Sequence, residues 1–195
     1  MLIGERAPEA PFDHVLMDNV NGARMATEHL LRTGARRIVL LGGSLDSLPT
    51  MAASRTRGYL DAHAAMKVAP DLDLIVASNF GAHHGYRVTR RLLETVEDVD
   101  AIFAVTDADA IGALRALHDA RRRVPDDIQL VGWDDIAEAE FTEPRLSSVD
   151  PDSDAIADAI VRMLVERMLG TVSEPPRVVV PTAKLALRGT TRPLP

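Results

Sequence analysis

With 195 residues and a hydrophobic fraction of 46%, the chain can bury a substantial core as one large domain or two small lobes. Its net charge of -7 at pH 7 argues against strong nucleic-acid binding by these residues, because phosphate recognition needs a basic patch. It has no cysteine, which excludes disulfides, zinc–thiolate sites and thiol catalysis.

Residues 1–4 run straight into Glu5 and Arg6 and do not resemble a signal peptide. No apolar stretch approaches the length needed to span a bilayer, so a soluble, cytoplasmic protein is expected. Residues 2–4 read as a strand remnant, a Pro-containing loop follows over 7–12, and residues 14–18 form another short apolar run. From 19 to 33 the apolar residues Ala23, Ala26, Leu30 and Leu31 recur on one helical face, with Asp18 or Asn19 to cap the start and Gly34 to end the helix. Residues 37–43 (RIVLLGG) are a buried strand, followed by a loop over 44–49 and a helix from about 50 to 66. A strand over 74–78 and a helix over roughly 82–96 repeat the order.

The stretch 101–135 carries the clearest pattern. An apolar run ends in Thr106-Asp107, and Ala110, Ile111, Ala113, Leu114 and Leu117 then recur at helical spacing, so a strand feeds a helix that Asp107 is placed to cap. Residues 128–133 are a second buried strand, closing on Asp134 and Asp135. Strands joined through helices make right-handed parallel units covered on both faces, which predicts an α/β fold with a doubly wound parallel sheet of at least four strands. Ligands of such sheets bind beyond the carboxyl ends of the strands, where Thr106, Asp107, Asp134 and Asp135 fall.

After Asp135 the character changes. Residues 146–149 form a brief extended crossing segment, and Asp150-Pro151 opens a long helix through 169, with Pro151 in its first turn and Gly170 at its end. Its apolar face, with Ile156, Ile160, Met163, Leu164 and Met168, needs a partner. Residues 177–180 and 185–187 read as short strands, and 189–195 as a frayed end.

Taken together, VLMDN with NGARMATEHLLRTGARRIVLLGG, RTRGYLDAHAAM, AIFAVTDADAIGALRALHDARRRVPDDIQLVGWDDI, EPRLSSVDP and PTAKLALRGTT resemble, in order and across the whole chain, the effector-binding core of the LacI/GalR bacterial transcription regulators. That family shares its fold with periplasmic sugar-binding proteins. The resemblance implies a type I periplasmic-binding-protein-like fold with a complete C-terminal lobe and a partial N-terminal lobe. Residues 1–18 would be a remnant of the N-terminal lobe and crossover, and 19–145 the C-terminal lobe. Residues 146–176 would be a crossover and N-terminal-lobe helix, and 177–195 the return strands and tail. The headpiece that contacts DNA in the family, and most of the N-terminal lobe, have no counterpart here.

The resemblance also implies site residues. Arg55 matches an arginine that reaches the cleft and takes vicinal ligand hydroxyls or a carboxylate in a two-pronged fork, against the alternative of a solvated helix arginine like Arg57. Asp134 matches a carboxylate that accepts ligand hydrogen bonds, while Asp135 is read as structural. Phe80 aligns with a stacking aromatic, against the alternative of an ordinary core phenylalanine. Thr106 stands where the family usually has Asn, exchanging an amide for a hydroxyl and bearing on ligand identity. Asp107 is a helix cap first and a ligand contact second. Asp109 replaces a usually uncharged residue and is either a specificity feature or solvated.

Other motifs are weak. His83 and His84 are adjacent on a helix and point roughly 100° apart, with no third ligand nearby. The arginines at 121–123 lie at a helix end, where cations suit the dipole. Gly42-Gly43 does not continue into a phosphate-binding fingerprint, and Ser44 has no nucleophile elbow around it. The reading is therefore a non-enzymatic, cofactor-free sensor of a small sugar or related metabolite, homodimeric, without membrane contact and acting on DNA through a separate headpiece. The alternative is a solute-binding protein of a transport system.

Overall fold

A computed structural model describes residues 1–4, 11–46, 48, 50–172 and 175–195. Parts of the loops expected at 7–12 and 44–49 lie outside the described residues.

The elements are β1 (Leu2–Ile3), β2 (His14–Val15), α1 (Asn19–Arg32), β3 (Ile38–Leu41), α2 (Met51–Met66), β4 (Ile75–Val76), α3 (Ala82–Thr95), β5 (Ala101–Ala104), α4 (Asp107–Asp119), β6 (Gln129–Trp133), β7 (Ser147–Asp150), α5 (Ser153–Met168), β8 (Val178–Val179) and β9 (Lys184–Ala186). Six strands form one sheet in the order β4-β3-β5-β6-β7-β9, parallel except for the antiparallel β7–β9 edge. A small parallel sheet has the order β1-β2-β8.

Alternation along the large sheet's strands sorts its core into two layers, because successive side chains point to opposite faces. Ile38, Leu40, Ala101, Phe103, Val131 and Trp133 face α1 and α2, meeting Ala23, Ala26, Leu30 and Tyr59. Val39, Leu41, Ile102, Ala104 and Leu130 face α3 and α4, meeting Leu92, Ala110, Ala113, Leu114 and Leu117. The doubly wound α/β architecture read from the sequence is thus the observed one. Glycine lets α3 and α4 touch: a Cβ on Gly85 would lie 2.2 Å from the Asp109 carbonyl oxygen, and one on Gly112 would lie 2.0 Å from that of Ala82.

In the small sheet, Val15 of β2 packs on Ile156, Ala159 and Met163 of α5. Arg167 of α5 grips the buried Asp13 with two hydrogen bonds of 2.8 Å, and the Arg177 backbone N–H donates to the same carboxylate at 2.9 Å. These donors hold Asp13 well below the usual carboxylate range, the Arg167 hydrogen bond most of all. Only part of the expected apolar face of α5 is covered: Leu164 and Met168 are exposed, as are Val161, Val165 and Leu169.

Four expectations are corrected. Pro151 precedes α5 instead of opening it: Asp152 adopts a left-handed conformation (φ 60°) that breaks the helical path, and its carboxylate accepts the Ala155 N–H. Ser147–Asp150 is a full strand of the large sheet instead of a crossing segment. Val178–Val179 pairs with β2 in the small sheet, so the return toward the large one comes only with β9.

Nor is the tail frayed as a whole, since Thr190 and Thr191 are buried and only 193–195 lie exposed at its end. The Thr190 hydroxyl donates to the Leu130 carbonyl and accepts from the Ser147 N–H, while Arg192 N–H donates to Gln129. Arg188 pairs with Asp135 at 2.6 Å and reaches the Leu146 carbonyl. Polar residues that look solvated in sequence thereby satisfy backbone groups of β6 and the start of β7.

Candidate functional site

Beyond the carboxyl ends of β5 and β6 lies a cavity of about 640 Å³. Around the large sheet it is lined by Asn19, the first turns of α2 with Thr50, Met51, Ala52 and Arg55, and Phe80, Thr106 and Asp134. Ile3 and Gly4 from the end of β1, and Met17 from the connection after β2, close the other side. Arg55, Phe80, Thr106 and Asp134 thus share one space, and Asp107 lies outside it.

Arg55 is buried on the inner face of α2. Its Nε donates to Asn19 Oδ1 at 2.8 Å, Nη1 donates to the Val105 carbonyl, and its guanidinium carbon lies 3.9 Å from the centroid of the Trp133 ring. A cation held by an aromatic face and two oxygens is a fixed charge at the cavity wall, with part of its donor capacity already committed. That differs from a solvated arginine reaching in from the rim.

Asp134 stands beside it. Burial raises its pKa, while the Arg55 charge and the Asp107 backbone N–H at the start of α4 pull it back down. Its φ of 111° and the φ of 57° at Phe80 are costly for side-chain-bearing residues, and both occur where the backbone turns a side chain to this cavity. Phe80 remains 43% exposed, as an apolar wall of the space and not a core residue.

The cap of α4 is Thr106, not Asp107: the Thr106 hydroxyl accepts the Asp109 N–H at 3.1 Å and donates to Asp109 Oδ2 at 2.8 Å. Asp107, the first helical residue, turns away from the cavity. Its Oδ1 accepts from Ser148 at 2.6 Å and its Oδ2 from the Ile136 N–H at 2.9 Å. It therefore braces β7 and the loop after β6, and no ligand contact is assigned to it. Burial pushes its carboxyl up to about 7 against those two hydrogen bonds, with the charges of Asp134 and Asp135 adding to the rise. Asp109, far from solvated, is fully buried. Asp135 is structural, as expected, through Arg188 and a backbone hydrogen bond from its N–H to Ser148.

Asn19, Met17, Met51 and Trp133 are site or supporting residues that the sequence did not single out. Asn19 was legible only as a helix start, and it is buried at the first position of α1 with its side chain on Arg55. Trp133, the sole tryptophan, was legible only as the end of a strand.

The periplasmic binding protein-like domain model matches residues 27–191. The HTH-type transcriptional regulator CelR of Thermobifida fusca is 37% identical over 175 residues, covering 90% of this chain and 51% of that protein. A LacI-family protein from Sanguibacter keddieii superimposes with a TM-score of 0.91 at 39% identity, covering 97% of this chain and 72% of that one. A complex of the transcriptional regulator CelR with cellobiose gives 0.88 at 34% identity, covering 97% and 58%. The chain spans about half the length of the curated relatives it matches.

Proposed function

We propose, for a chain that belongs to the periplasmic binding protein-like family and within it to the LacI-type regulators, that it is the effector-sensing part of a transcription regulator. It binds a small neutral sugar between its two lobes, has no catalytic activity, and acts on DNA through a headpiece outside these residues. The observation that carries this reading is the shared cavity: a fixed cation, a carboxylate, a hydroxyl and an exposed aromatic face line a space between elements of two sheets. Asp134 takes ligand hydroxyls as donors, Phe80 packs on the apolar face of a sugar ring, and Arg55 fixes the charge of the wall.

In this reading the lobes are 19–145 with β7 and β9 on one side, and the small sheet with α5 on the other. A ligand touching both shifts their relative arrangement only by as much as it prefers one arrangement, and that preference is the signal passed to DNA in a homodimer. The cellobiose in a related regulator's structure and the regulator names of the relatives support a sugar sensor over a transport binding protein.

The test is a thermal-shift and tryptophan-fluorescence screen against cellobiose, ribose, other neutral sugars, sugar phosphates and nucleobases. A neutral sugar is expected to raise the melting temperature by mass action and to change Trp133 emission. A response to nucleobases alone would overturn the sugar assignment.

A further inference from the structure

Asp109 has no part in the ligand contacts assigned above, yet it is wholly buried and its two carboxylate oxygens serve two different loops. Oδ1 accepts the Ser78 hydroxyl at 2.8 Å, and the Ser78 oxygen in turn accepts the Phe80 N–H at 3.2 Å. Oδ2 accepts the Thr106 hydroxyl at 2.8 Å. Phe80 and Thr106, from the loops after β4 and β5, therefore meet through one side chain. A Cβ placed on Gly42 would stand 3.6 Å from both Asp109 Oδ2 and Phe80 Cε1, so the carboxylate and the ring approach the same point of the β3 end.

We infer that Asp109 is the positioning residue of this cavity: it holds Phe80 in its left-handed turn and fixes the Thr106 hydroxyl so that only an oxygen lone pair remains for a ligand. The count of donors leads there. Thr106 has one hydrogen, given to Asp109 Oδ2, and one lone pair used by the Asp109 N–H, which leaves a single acceptor site. Together with Asp134, whose carboxylate offsets the adjacent Arg55 charge, Thr106 gives the cavity two acceptors, suited to the hydroxyl donors of a neutral polyol and poorly suited to a carboxylate or phosphate. The inference rests on the sugar reading for its ligand class, but the positioning itself does not.

An Asp109→Asn side chain keeps the shape, accepts from Ser78 and turns an amide N–H toward Thr106, freeing the Thr106 hydrogen to donate. Asp109→Leu keeps the bulk and removes both hydrogen bonds. Amide hydrogen exchange on the unaltered chain and both variants reads the positioning. Phe80 should exchange roughly tenfold faster in Asp109→Leu and return most of the way in Asp109→Asn, with Leu114 and Leu117 of α4 unchanged. No change at Phe80 in Asp109→Leu, or an equal rise at Phe80, Leu114 and Leu117, would overturn it.

Titration of glucose against glucuronate, which keeps the ring and adds only a carboxylate, reads the donor count. The unaltered chain should favour the neutral member of the pair, and Asp109→Asn should narrow that preference. Preference for the acid in the unaltered chain overturns the acceptor assignment. If no sugar binds the unaltered chain, the sugar reading falls, and the exchange result alone decides the role of Asp109.

Discussion

The guanidinium carbon of Arg55 lies 3.9 Å from the centroid of the Trp133 ring, among buried residues. Removing the guanidinium would leave Asn19 Oδ1 and the Val105 carbonyl without their charged donor. Arg55→Ala is therefore expected to cost about 3 kcal/mol of unfolding free energy, measured by urea denaturation, in addition to any loss of binding. Arg55→Lys should recover less than half of that, because an ammonium cannot stack on the ring while serving both oxygens.

Asp134→Asn removes charge but not shape. Sugar affinity should fall about ten- to hundredfold, as expected when a hydrogen bond to a charged group is weakened, with little change in unfolding free energy. Isothermal titration beside a thermal melt separates the two, and unchanged affinity would remove Asp134 from the site.

Asp107 predicts a pH dependence. With its folded pKa raised to about 7 from 3.8, the folded chain holds a proton that the unfolded chain has released across that interval. The contribution of Asp107 to stability accordingly falls as pH rises between these values and levels off above the upper one, while His29 and His63, whose pKa values burial lowers, contribute in the opposite sense. Asp107→Asn should flatten this decline in urea titrations across the interval. Asp109 and Asp134, whose pKa values burial also raises, keep a remainder.

Arg167→Met should cost about 2–3 kcal/mol, less than the full price of breaking a buried pair, because Arg167 is partly exposed. The loss should be local. Amide exchange should quicken along α5, β2 and β8 while β3, β5 and β6 remain protected.

Much of this was legible in the sequence because burial imposes a period. Two-sided strands such as RIVLLGG and AIFAV read as continuous apolar runs, and the α1 and α4 faces repeat at helical spacing. The order of elements followed, and with it the ends of strands where Thr106 and Asp134 stand. What escaped depends on where a polar side chain points. Thr106 and Asp107 are adjacent cap-competent residues, and only the path of the chain decides that the threonine caps and the aspartate braces β7. Asp109 reads equally as a specificity feature or a solvated helix residue because its partners, Ser78 and Thr106, lie on two separate loops. Asp152 hid the true start of α5 by taking a left-handed turn after a proline well suited to a helix's first turn.

The strap over 188–192 ties a late stretch of the sequence to the site. Arg188 steadies Asp135, next to Asp134, and Thr190 joins β6 to the start of β7. Every residue lining the cavity precedes residue 135, yet groups that hold the Asp134 loop and these strands in place come from this strap. Loosening of 188–192 would therefore be felt at the Asp134 loop, although no residue of the strap lines the cavity.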